Sequence, residues 1–169
     1  GDPRSGVLEG VDGTPYAATD HGKADKLYQP FCFRVFATKK APLPWPKPAD
    51  YRPGRYELLR RYVNAAPDST WWNLIYSRGP LKLNEGDCNS AGPVSLDYVG
   101  GRKHWVESGY AEREKIYQDH VGYQQGYLYF LANDPGIPAE LRGRVSQFGL
   151  PKNEFPETAG WPHRSEEHT

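Results

Sequence analysis

Alternating carboxylate and amide side chains at Glu85, Asp87 and Asn89 form the densest set of chemically useful groups in this sequence. They lie in residues 80–101, PLKLNEGDCNSAGPVSLDYVGG, where glycines and prolines predict a surface loop. The alternation is typical of oxygen ligands in a calcium loop, but Ser90 stands where a glycine would follow, and the usual glutamate is missing. We therefore assign no metal site and expect Asp87 and Asn89 to bind a polar substrate. The alternative is that both residues only form turns.

Two further side chains are candidates for polar chemistry. Arg34 interrupts an otherwise apolar run, so it either pairs with a carboxylate or reaches an anionic group of a ligand. His163 closes a loop that ends in Trp161-Pro162-His163. It either anchors that loop or exchanges a proton near neutral pH, as imidazoles do.

These residues must be positioned by a few helices and strands. The alternation of residues 29–38 predicts a strand, and TWWNLIYS at 70–77 predicts a second short one. Proline positions and helical spacing predict helices at about 54–66 and 138–148. The longest helix is expected at 110–133, capped by Ser108, and at 1.5 Å per residue it would be about 36 Å long.

The long predicted helix contains two glycines, Gly122 and Gly126, that lie four residues apart on one face. Each costs about 1 kcal/mol relative to alanine in a helix interior. Either another backbone or a flat ligand approaches the helix closely there, or the glycines are tolerated in a well-packed helix. The proline-rich stretch PLPWPKP at 42–48 similarly has two interpretations, an SH3-type ligand or a stiff connector, and we favour the connector.

The composition bounds the fold class. The chain has 169 residues, one domain's worth, and its 18 glycines and 16 prolines predict that much of it is loop. Together with the predicted helices and few strands, this gives an α+β, loop-rich, mainly helical fold. A formal net charge of zero without a basic stripe argues against nucleic acid and anionic membranes as partners. No apolar run approaches the roughly 20 residues of a membrane span. Two cysteines, Cys32 and Cys88, are expected as free thiols, although a single bridge stays open.

Five motifs, in order along the chain, resemble one family. They are FRVFAT, PKPADYRPGRYELLRRYV, GDCNSAGPVSLDYVGG, YAEREKIYQDHVGYQQGYLYFLANDPGIP and LPKNEFPETAGWPH. Over residues 29–163 the chain resembles the FAD-dependent oxidoreductases, the xanthan-lyase-like flavoproteins. The resemblance implies the substrate-side region of an FAD-binding, Rossmann-like α/β enzyme. The GxGxxG phosphate fingerprint of such enzymes is absent from this sequence, so FAD would be held mainly by a region outside it.

The chain divides into three parts. Residues 1–28 are expected to form an extended loop segment, and residues 29–163 the substrate-side region. Residues 164–169, RSEEHT, match the translation of a common short-read sequencing adapter, so we expect them not to be biological. The sequence contains no methionine, which agrees with an internal fragment.

The expected function is flavin-mediated hydride transfer to or from a polar substrate, with carbohydrate as one candidate class. In that interpretation His163 is the candidate catalytic residue, and Arg34, Asp87 and Asn89 bind the substrate. No residue is assigned to the cofactor, and the chain alone is expected to be inactive. The alternatives are a non-enzymatic carbohydrate-binding module, because tryptophan and tyrosine are abundant, and a structural cap of a flavoprotein.

Overall fold

The computed structural model describes residues 28–66, 75–76, 85–90 and 93–163. The expectations for residues 1–27 and for the adapter-like residues 164–169 lie outside this part of the chain. So does most of the predicted strand TWWNLIYS, of which Ile75–Tyr76 is described.

A three-stranded antiparallel sheet is built from β1, Val35–Thr38, β2, Ile75–Tyr76, and β3, Glu85–Ser90. The strand order is β1-β3-β2, so β3 is the central strand. Within β3, Cys88 lies opposite Val35 of β1, and Ser90 lies opposite Ile75 of β2. The expected loop at 80–101 is therefore wrong for residues 85–90.

The correction has a physical cause. Along β3 the buried residues Gly86 and Cys88 alternate with polar ones, and this is the period-two pattern of a strand. Glycine, aspartate and asparagine are poor strand formers by composition, but pairing on both edges overrides that preference. The same alternation explains the resemblance of Glu85, Asp87 and Asn89 to a calcium loop.

The predicted strand at 29–38 is only partly a strand, because β1 covers its last four residues. Before β1, a glutamine from a helix takes the place of a partner strand. The Gln124 side-chain nitrogen donates to the Phe31 carbonyl at 2.8 Å, and the Phe33 N–H donates to the Gln124 side-chain oxygen at 3.4 Å. The amide of Gln124 thus satisfies backbone groups that would be costly to bury unpaired.

The helices lie close to where the sequence predicts them. A 3-10 turn, Pro53–Tyr56, leads into α1, Glu57–Ala65, while α2 spans Tyr110–Asn133 and α3 spans Ala139–Val145. The predicted cap Ser108 is wrong, because Gly109 occupies the cap position and makes no side-chain bond. The hydroxyl of Ser108 instead donates to the carbonyl of His104.

The second half of α2 is the centre of the core. From His120 onward most of its residues are buried, whereas its first turns are largely exposed. It ends where Asp134 turns to extended backbone before Pro135. The fully buried side chains that fill the core are Phe33, Leu59, Leu96, Tyr127, Leu128, Phe130, Leu131, Ile137 and Leu150.

The proline-rich segment is packed onto the body of the protein. Leu43 and Leu150 exchange backbone hydrogen bonds of 2.8 and 2.9 Å. The buried Trp45 donates from Nε1 to the carbonyl of Val145 at 3.1 Å. These bonds agree with the connector interpretation of PLPWPKP.

The described residues therefore form an α+β, loop-rich arrangement in which helix predominates. Within this part of the chain, no helix is long and apolar enough to cross a membrane. Both cysteines are buried thiols and form no disulfide, as predicted.

Candidate functional site

The sheet brings the backbones of the three predicted substrate-binding residues close together. Arg34 is exposed and immediately precedes Val35, whose partner in the register is Cys88. Cys88 in turn lies between Asp87 and Asn89. The sequence positions that we assigned to substrate binding are therefore neighbours at one end of the β1–β3 pair.

The side of the chain that carries Arg34 and Phe36 is only partly covered, since Thr38 on the same side is buried. Phe33, Val35 and Ala37 are buried, whereas Phe36 keeps 36% of its surface exposed. Phe36 pairs with Asp87 in the register. Phe36 thus places a partly exposed apolar ring on the edge strand β1.

His163 lies elsewhere, on the loop that follows the 3-10 helix Pro156–Thr158. Its Nδ1 is 3.1 Å from a carboxylate oxygen of Glu157, and its ring meets Phe155 edge-on at 5.2 Å between centroids. The Tyr117 hydroxyl donates to the His163 carbonyl at 2.9 Å. The exposed imidazole thus has a carboxylate beside it that can orient it, as in many acid–base pairs.

A second location, not anticipated from the sequence, is a half-open cavity of about 240 Å3 between the 3-10 turn at 53–56, the loop at 93–99 and α2. Tyr98 stacks on Tyr123, with 4.7 Å between ring centroids and 17° between planes. Four tyrosines, an arginine and an aspartate are among its lining residues: Tyr56, Tyr98, Tyr123, Tyr127, Arg55 and Asp97. We call it the tyrosine cavity.

Three hydroxyls fix the walls of the tyrosine cavity. Tyr123 and Tyr127 donate to the carbonyls of Ser95 and Val94 at 2.8 and 2.9 Å. Tyr56 donates to the carbonyl of Tyr123 at 3.0 Å. Burial raises the pKa of Tyr56, Tyr123 and Tyr127, so these side chains stay neutral donors rather than bases.

Arg55 places a cation against the stacked pair. Its guanidinium carbon lies 4.6 Å from the Tyr98 ring centroid and 5.3 Å from that of Tyr123. It donates to Asp119 at 2.8 Å, and only 8% of its side chain is exposed. Burial lowers the pKa of Arg55, but the attraction of Asp119 and Tyr98 outweighs it and raises the value on balance. The guanidinium is thus permanently charged and locally neutralised.

Behind Tyr98 lies a fully buried histidine, His120. Its ring meets Tyr98 and Phe31 edge-on, at 5.1 and 5.0 Å between centroids. Nδ1 is 2.7 Å from the Ile116 carbonyl, which can only accept, so Nδ1 carries the proton. Among the described residues, Nε2 has no hydrogen-bond partner.

The burial of His120 lowers its pKa. The Ile116 carbonyl and Asp119 offset part of this effect, while Arg102 and Arg55 add to the lowering. The imidazole is therefore neutral at physiological pH, and its ring packs against that of Tyr98.

Side chains, rather than a backbone or a flat ligand, occupy the face of α2 that carries the two glycines. A Cβ at Gly126 would lie 2.0 Å from the Tyr56 hydroxyl oxygen, and one at Gly122 would lie 3.2 Å from a carboxylate oxygen of Asp50. Gly126 thus admits the tyrosine that lines the cavity.

Two of the residues that line the tyrosine cavity have a recognisable spacing in the sequence. Tyr123 and Tyr127 are four residues apart on α2, next to the glycine pair, which is the spacing of one helix face. The position of Arg55 and Tyr98 opposite them is a tertiary contact without a local pattern.

The described tryptophans do not form an exposed sugar-binding platform. Trp45 and Trp161 are buried and Trp105 is half-buried. Trp71 and Trp72 lie outside the described residues. In the described part of the chain, no group of three or more metal-ligating side chains is present either.

A scan against protein-family models, a search of curated proteins and a search of solved structures each found no match to this chain.

Proposed function

We propose that this chain is the substrate-side region of an FAD-dependent oxidoreductase acting on a polar substrate. The observation that carries the proposal is the sheet face with the exposed Arg34 and the partly exposed Phe36, beside the backbone of Asp87. It combines a cation immediately before β1 with an apolar ring on β1, and strands are rigid supports for a site. The resemblance of the five motifs across residues 29–163 supports the flavoenzyme assignment.

The roles follow from the chemistry of each side chain. Arg34 offers a permanent cation to an anionic or strongly polar group of the substrate. Asp87 and Asn89 supply an acceptor and a mixed donor–acceptor for substrate hydroxyls. His163, with Glu157 beside its Nδ1, exchanges a proton with the substrate.

The cofactor does not fit this chain by itself. The sequence has no GxGxxG turn to hold a pyrophosphate. The close-approach face of α2 does not offer a flavin surface, because Tyr56 and Asp50 fill the space over Gly126 and Gly122. We therefore assign FAD binding mainly to a region outside this sequence, and hydride chemistry is what the flavin would supply there.

Reading the gene around this coding sequence is the first test. We expect a strand followed by GxGxxG upstream, because the resemblance places the nucleotide-binding region before these residues. An intact gene without any dinucleotide-binding motif would overturn the proposal.

Substitutions in the intact protein test the roles. We expect His163→Gln to lower turnover by about 10²–10⁴-fold, as loss of a general acid–base does. Asp87→Asn and Arg34→Gln should raise KM, while flavin absorbance stays unchanged in all three variants. Lys103→Ala, an exposed substitution on the turn before α2, is the control. Unchanged turnover in His163→Gln would remove His163 from the site.

A further inference from the structure

The tyrosine cavity has the size of a single ring. Its volume of about 240 Å3 lies just below the roughly 300–1,000 Å3 of pockets that hold drug-sized ligands. It shares no lining residue with the proposed substrate-binding positions or with His163. It is therefore a separate place at which a small molecule can bind.

The walls of the cavity present mainly apolar surface to a ligand. The hydroxyls of Tyr56, Tyr123 and Tyr127 are bonded to backbone carbonyls, so they are already engaged. Leu58, 39% exposed, and Val99, 65% exposed, stand at the mouth. Such a lining packs against the C–H groups of a ring.

The lining of the cavity also includes a hydrogen-bond acceptor and a hydrogen-bond donor. Asp97 contributes a carboxylate, which accepts hydrogen bonds, and Arg55 contributes a guanidinium, which donates them. Their charges are opposite, and Arg55 is neutralised by Asp119 as well. The cavity therefore has no net attraction for an anion, and it matches hydroxyl groups, which both donate and accept.

The cavity is also held in shape before any ligand binds. The hydroxyls of Tyr123 and Tyr127 tie the loop at 93–99 to α2. The Asp97 N–H donates to the Ser95 hydroxyl at 3.1 Å within the loop. A preformed site binds a ligand without the entropic cost of ordering the loop.

We propose that the tyrosine cavity binds one neutral, polyhydroxylated six-membered ring, as in a hexopyranoside. The ring's C–H groups lie against the tyrosine and leucine side chains, and its hydroxyls bond Asp97 and Arg55. The proposal goes beyond the flavoenzyme assignment and is tested on the full chain without any cofactor.

The test is ligand-observed NMR with saturation transfer, using methyl β-D-glucopyranoside and methyl α-D-mannopyranoside at roughly 20 mM, a range suited to millimolar dissociation constants. We expect transfer to at least one glycoside. Absence of transfer to both, stronger transfer to phenol, or stronger transfer to glucuronate would each overturn the proposal, because the ligand would then be absent, aromatic or anionic.

Two matched variants locate the binding. Val99→Trp closes the mouth, whereas Val106→Trp places the same side chain at an exposed valine, 56% exposed, that does not line the cavity. We expect binding to be lost in the first and kept in the second, with equal thermal stability. Asp97→Asn should weaken binding by about tenfold or more, because hydrogen bonds to a charged group are the stronger ones. Binding that survives Val99→Trp would place the glycoside elsewhere and overturn the proposal.

Discussion

At the residue scale, the clearest case of a side chain fixed by its surroundings is Gly126. The space over it is taken by Tyr56, whose hydroxyl donates to the Tyr123 carbonyl at 3.0 Å. The packing of Tyr56 against Gly126 therefore outweighs the lower helix propensity of glycine at this position. The sequence indicated a close approach at this position but could not say what approaches.

We expect Gly126→Ala to destabilise the protein by about 1–3 kcal/mol, because the added methyl group overpacks against Tyr56 and breaks its hydrogen bond. Gly143→Ala is the matched control, since Gly143 is exposed on α3 with nothing within 4 Å of its added Cβ. That variant should gain up to about 1 kcal/mol from helix propensity. Urea unfolding measures both, and equal gains would show that Tyr56 moves away without cost.

At the element scale, α2 provides hydrogen bonds to the extended segment that precedes β1. Gln124 bonds the Phe31 carbonyl and the Phe33 N–H with its single amide. It therefore extends the hydrogen bonding of the sheet beyond β1. The helical stripe of the sequence included Gln124, but nothing local distinguishes a bridging glutamine from a solvated one.

We expect Gln124→Leu to cost about 2–3 kcal/mol, because two buried backbone groups lose their partner. Gln118→Leu is the control on the same helix, where the exposed glutamine bonds only Glu114. Its effect should lie within about 0.5 kcal/mol. Denaturant midpoints compare the two, and indistinguishable midpoints would show that the bridge does not stabilise the fold.

At the scale of the whole molecule, stability should depend on pH through His120. Its folded-state pKa is lowered from the ordinary value of 6.5, so the unfolded chain binds a proton that the folded chain excludes. The stabilisation is complete above pH 6.5 and is lost as pH falls below it. Burial is the main cause of the lowered pKa. The Ile116 carbonyl and Asp119 oppose it, and Arg102 and Arg55 add to it.

We expect the free energy of unfolding to fall by about 1 kcal/mol between pH 7.5 and 5.5, a window above the titration of most carboxylates. His120→Asn should reduce this difference, because the amide does not titrate. Asparagine can also keep the bond to the carbonyl four residues earlier, as Asn133 does at 2.9 Å to Tyr129. His104→Asn, at an exposed histidine, should leave the difference unchanged. A difference of the same size in His120→Asn would assign the pH dependence to other groups.

The sequence by itself determined the helices, with their ends placed to within a few residues. Helical hydrogen bonds join residues four apart, so spacing and prolines such as Pro53 and Pro135 are sufficient to place them. The loop-rich character followed from composition, whereas the count of two cysteines favoured thiols but left a single disulfide open. For the candidate site, the sequence identified Arg34, Asp87, Asn89 and His163 by their side-chain chemistry. It did not predict how these residues are arranged in space.

Only the tertiary structure decided the remainder. The central strand β3 forms because it pairs with β2 on one side and with β1, which is distant in sequence, on the other. The largely polar composition of β3 does not indicate such pairing. The tyrosine cavity likewise joins Arg55, Tyr98 and Tyr123 from three separate segments. Contacts of this kind depend on how packed elements meet in space, and no local periodicity encodes that.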